Sequence, residues 1–136
     1  MTINYWGVLA ATIAAWFFGA AYYGALGEKW MVALGRSQQQ IEARRAKKAV
    51  PVVPMIVSFV AELVMAFTLA GLMAHMGGFS VRAGLIAGAI CWFGFILTTV
   101  ATNNGYQQAK PSLTLIDSAH WLGVMLIQGA VLGALG

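Results

Sequence analysis

Three side chains in this sequence could carry a proton or hold a cation, and all three fall inside apolar runs: Glu62, Asp117 and His120. Charged and imidazole groups are costly to place within a bilayer, so they mark where recognition or chemistry is expected. Asp117 and His120 are three residues apart, which puts them on one helix face, and Val124 and Gln128 continue much the same stripe. Ser58 and Glu62 share a face of an earlier helix in the same way. Counted from Pro54, Glu62 lies about 12 Å along its helix; counted from Ser112, Asp117 lies about 8 Å and His120 about 12 Å along theirs. Thr98, Thr99 and Thr102, followed by Asn103 and Asn104, bring a third helix to the same level. The pattern predicts a polar cluster of Glu62, Asp117, His120, Thr98 and Thr99. Such a cluster is either a cavity open to the cytoplasm that takes a proton or a small cationic solute, or a hydrogen-bond network that fixes the helices to one another.

Other chemistry finds less support. The sequence has no phosphate-binding loop, nucleophile elbow, Cys/His cluster or pair of carboxylates at catalytic spacing, so no enzyme, metal site or cofactor is expected. His75 and His120 are expected near opposite membrane faces and so do not share a haem iron. The single cysteine, Cys91, sits within an apolar run and reads as a small packing residue.

The elements that must position the cluster are four long apolar stretches, Tyr5 to Leu26, Pro54 to His75, Val81 to Thr102 and Ser112 to Leu135. Each is close to the roughly 20 residues that cross a hydrocarbon core about 30 Å thick. Of the 136 residues, 60% are hydrophobic and 9% charged, and mean hydropathy is +0.78, too little polar surface to clothe a soluble domain. The expected fold is all-α, a single four-helix transmembrane bundle. No Lys or Arg precedes the first apolar run, so the first span is expected to be retained rather than removed as a signal peptide.

Charge sets the expected orientation. Lys29, Arg36, Arg44, Arg45, Lys47 and Lys48 fall in the first connection, residues 27–53, and Lys110 in the third, against Arg82 alone in the second. The positive-inside rule then places the first and third connections in the cytoplasm and both termini on the non-cytoplasmic side. The polar stretch from Arg36 to Ala49 is helix-compatible and is expected to lie on the headgroups, with Arg44, Arg45, Lys47 and Lys48 touching anionic lipid. The basic run flanks a membrane and lacks interleaved aromatics, so nucleic acid is not an expected partner. Trp6 and Trp30, with Tyr22 and Tyr23, fit interfacial aromatic belts.

Small residues supply helix packing where lipid removes the hydrophobic drive between helices. Gly84 with Gly88, Gly129 with Gly133, and Gly19 with its small neighbours are the expected close-approach faces, chiefly within the bundle.

The order of several short motifs resembles the bacterial membrane proteins grouped as domain of unknown function 1761. The residues concerned are Tyr22, Tyr23, Gly24 with Lys29, Trp30, Met31; Ser58 to Ala61 and Leu63 to Ala66 with Leu69 and Ala70, Glu62 between them not being part of the resemblance; Gly88 with Trp92 to Phe95, Thr98 and Thr99; and Ile116, Asp117, His120 with Gly129 to Gly133. That resemblance implies a small multi-pass membrane protein and no assigned activity. The expected function is therefore association through helices, as a homo-oligomer or as an accessory subunit of a larger complex in a bacterial inner membrane. The alternative is a small proton-coupled transporter or channel that uses the polar cluster.

Overall fold

A computed structural model of the chain describes residues 2–48 and 50–136. Among these, the secondary structure is helical throughout, and four helices are long and apolar enough to cross a membrane. The first, α1 (Tyr5–Ala33), is capped by Asn4, whose side chain accepts from the Trp6 and Gly7 amides. The Asn4 amide also donates to the Leu135 carbonyl at 3.0 Å, so the first and last helices meet at their outer ends and both termini lie at one end of the bundle. The helix extends to Ala33 rather than stopping at Leu26, because no breaker occurs before Gly35, where the backbone turns at φ +86°.

A second helix, α2 (Gln38–Lys47), opens with a capping box in which the Ser37 hydroxyl accepts from the Gln40 amide and the Gln40 side chain accepts from the Ser37 amide. It is polar apart from Ile41, its one buried side chain, and ends at Lys48 in the left-handed conformation. Ala49, expected to close this polar stretch, lies outside the described residues. Helix α3 (Val52–His75) follows directly from Pro51 and so begins two residues ahead of Pro54. Pro54 is accommodated in its first turn, where an amide hydrogen has no helical acceptor.

The third span is α4 (Val81–Cys91), a π-helical stretch from Trp92 to Leu97, and α5 (Thr98–Tyr106). It passes the expected end at Thr102 by one turn. The last helix, α6 (Pro111–Leu135), starts with proline in its first turn.

Helix α6 is the hub of the bundle, packed extensively on α1 and α4 and more lightly on α3. Its contact with α4 is backbone on backbone. A methyl group on Gly84 would overlap the Gly129 carbonyl, one on Gly129 would overlap that of Gly84, and Gly88 and Gly133 sit on the carbonyls of Met125 and Ser80. These glycines therefore make their close approaches inside the chain, where helix axes come near enough for dispersion to act between main chains. The core beneath is Val8, Ala11, Ala66, Leu69, Ala70, Met73, Ala87, Met125 and Leu132.

Candidate functional site

The site is built where α1, α3 and α6 part toward the α2 end. On α1, Gly19, Ala20, Gly24 and Gly27 carry little or no side chain along one edge, and a methyl group at Gly24 or Gly27 would meet nothing within 4 Å. The room left is a cavity of about 580 Å³. It runs from Glu62 and His120 at its inner end to Trp30, Arg44 and Pro51 beside α2. That volume falls in the range of pockets that hold small organic ligands.

Glu62 is 2% exposed, and among the described residues no donor reaches its Oε1. Its main-chain carbonyl accepts the Gln128 side-chain amide at 2.8 Å, which ties α3 to α6 at this level. His120 is likewise buried, with Nδ1 unpartnered among the described residues. Its ring is held by aromatic neighbours: Phe18 lies parallel at 6.1 Å between centroids, and Tyr23 is 4.8 Å away. On its remaining side the imidazole lies against Gly19, where a methyl group would come 2.8 Å from Nε2.

Asp117 belongs to the layer behind this. It accepts the Tyr23 hydroxyl at 2.6 Å, while Tyr22 donates to the Ile116 carbonyl at 2.6 Å. The two tyrosines expected as interfacial anchors are thus fasteners between α1 and α6, and Tyr23 presents its ring to the cavity. Glu62 and His120 come together on one cavity, and Asp117 serves them at one remove.

Thr98 and Thr99 do not join the cluster. Both are exposed, and their hydroxyls donate to the carbonyls of Gly94 and Phe95 in their own helix. The cause is the π-helical stretch just before them: its wider turn changes the direction of every later side chain relative to an uninterrupted α-helix. Trp92, at the start of that stretch, donates its indole N–H to the Ser118 carbonyl at 2.8 Å and fixes the bulge against α6.

Two cavity residues, Trp16 and Trp121, escaped sequence reasoning. Trp30 and Arg44, expected at the membrane interface, line the cavity as well, at its α2 end. The Arg44 guanidinium lies 5.8 Å over the Trp30 ring, and Arg45 pairs with Glu28. Of the four basic residues expected at the headgroups, Arg44 and Arg45 also touch α1. The opposite charges of Glu28 and Arg45 are the signal that could have found this contact, and seventeen residues of separation hide it.

The model of a family described as "Protein of unknown function (DUF1761)" matches residues 6–133. No curated protein and no solved structure matches the chain.

Proposed function

The chain belongs to this DUF1761 family, and from that premise we propose that it is a small multi-pass membrane protein that binds a solute between its helices, as one state of a small transporter. The observation that carries the reading is a buried carboxyl group, Glu62, with an oxygen unpartnered among the described residues, at the inner end of a cavity that reaches the α2 end of the bundle. A purely structural Glu62 would be expected to pair with a donor from a neighbouring helix, because an unmet polar group in hydrocarbon costs several kcal/mol, about 2–7 on general transfer scales. In this reading α2 lies at the cytoplasmic face of a bacterial inner membrane, both termini lie outside, and the exposed Lys47 and Lys48 contact anionic headgroups.

Association with a second copy or with another membrane protein is the reading that the small size of the bundle suggests. The faces that would carry it, at Gly84, Gly88, Gly129 and Gly133, are engaged within the chain, so it ranks second.

Cysteine accessibility tests the proposal. In a Cys91→Ala chain, Ser58→Cys places a thiol on the cavity wall and Gly24→Cys places one at its edge. A small, membrane-impermeant methanethiosulfonate is applied to vesicles of either orientation. The expected result is labelling of both positions from the α2 side alone. Ser58→Cys that reacts only after denaturation would show a core closed to water and return Glu62 and His120 to a structural role.

A further inference from the structure

The donors and acceptors on the cavity wall are unevenly engaged. Several donors on it already have partners: the Trp16 indole N–H donates to the Met55 carbonyl at 3.1 Å and to Ser58 Oγ at 3.2 Å, and the Ser58 hydroxyl donates to the Met55 carbonyl at 2.9 Å. The Tyr23 hydroxyl is held by Asp117. The one cationic group, Arg44, is laid over Trp30. The buried polar atoms that the wall leaves unpartnered, among the described residues, are Glu62 Oε1 and His120 Nδ1, both at the inner end. A ligand that arrived with positive charge would find an oxygen acceptor at the inner end and aromatic rings along the way.

The aromatic wall already holds one cation. The Arg44 guanidinium on Trp30 is a planar positive group on an indole face, and Trp16, Tyr23 and Trp121 extend aromatic surface inward toward Glu62. Cations are drawn to such faces by the ring quadrupole, more strongly where water is excluded. Between the rings the wall is apolar, with Met31, Met55 and Pro54 beside the small residues of α1. From this we infer that the cavity takes a lipophilic monocation, an apolar or aromatic body bearing one amine or onium charge, with Glu62 as the counter-group. Arg44 is displaced from Trp30 when the ligand enters, since both use the same ring face. This inference rests on the solute-site reading above and adds the charge and class of the solute.

The test uses two ions of nearly one shape and opposite charge, tetraphenylphosphonium and tetraphenylborate. Equilibrium binding is measured to the full chain in nanodiscs of zwitterionic lipid, with protein-free discs as background. With each ion titrated in a separate experiment, saturable binding above the protein-free discs is expected for tetraphenylphosphonium and not for tetraphenylborate. Glu62→Gln should weaken it by about 30-fold or more, as for loss of one partner of a buried charge pair, and Glu62→Asp should retain most of it. Trp30→Leu should weaken it by roughly 3- to 10-fold and Trp30→Phe by less, which keeps the inference testable should the Glu62 variants fail to fold.

Equal binding of both ions, indifferent to Glu62→Gln and Trp30→Leu, would overturn the cation inference and leave a charge-blind solute site. Binding of neither ion with Ser58→Cys still labelled from the α2 side would do the same. Binding of neither, with Ser58→Cys closed to label, would overturn the solute site itself.

Discussion

His120 is fixed by shape rather than by hydrogen bonds: the rings of Phe18, Tyr22, Tyr23 and Trp121 and the bare backbone of Gly19 define its place. Gly19→Ala would push a methyl group onto the imidazole, and we expect a loss of about 1–3 kcal/mol, the usual penalty for overfilling a packed site, read as a lower midpoint in thermal unfolding in detergent. Asp117 depends on Tyr23 in a different way. Tyr23→Phe removes the donor and leaves a half-buried carboxylate without it, for an expected loss of about 1.5–3 kcal/mol; Asp117→Asn keeps an acceptor oxygen and should lose less. If both variants unfold at the parent midpoint, this bond does not hold α1 to α6. Asp117 and His120 were legible in the sequence as one stripe of a helix, three residues apart. Their division into two layers was not, because it depends on α1, whose tyrosine reaches one and whose glycine admits the other.

Between elements, the close approach of α4 and α6 sets the spacing of the whole bundle. Gly84→Ala must separate two backbones, whereas Gly94→Ala, in the π-helical stretch, meets nothing within 4 Å. The first substitution is expected to cost at least about 2 kcal/mol and the second close to nothing, or to stabilise, since alanine is the better helix former. Equal midpoints for the two would remove the glycine contact as a determinant of packing. Glycine pairs four apart are readable in sequence, and so is the preference for close contact they carry. The π-helical turn was not readable: Trp92 to Leu97 is an ordinary apolar run, and only the indole bond to the Ser118 carbonyl shows where the extra width is held. Thr98 and Thr99 were assigned to the cluster by counting along a regular helix, and that count fails across such a turn. At the other end of the cavity, α2 touches α1 through Arg44 over Trp30 and the solvent-exposed pair of Arg45 with Glu28. Ser37→Ala removes its cap and should loosen it by about 1 kcal/mol, visible as faster amide exchange in α2 alone.

For the whole molecule, an even number of spans puts both ends of the chain on one side, and the Asn4 bond to the Leu135 carbonyl brings them into contact. The excess of Lys and Arg on the opposite side predicts that a reporter fused after Gly136, active only outside the cytoplasm, will be active. Neutralising Arg36, Arg44, Arg45, Lys47 and Lys48 together should reduce that activity by allowing inverted insertion, and an unchanged signal would refute charge as the orienting force. Architecture of this kind follows from composition and the length of apolar runs alone, because a chain so apolar has lipid as its solvent and each span must satisfy its own backbone as a helix. What the tertiary structure alone decided is which of the costly polar groups face one another and what space they face. Glu62 and His120 share a cavity because small residues on α1 hold it open, Asp117 is drawn aside by Tyr23, and the threonines are turned away by the π-helical stretch. Helix periodicity orders residues around one axis. The distance, tilt and rotation between axes come from contacts such as Gly84 on Gly129, made by residues far apart in sequence.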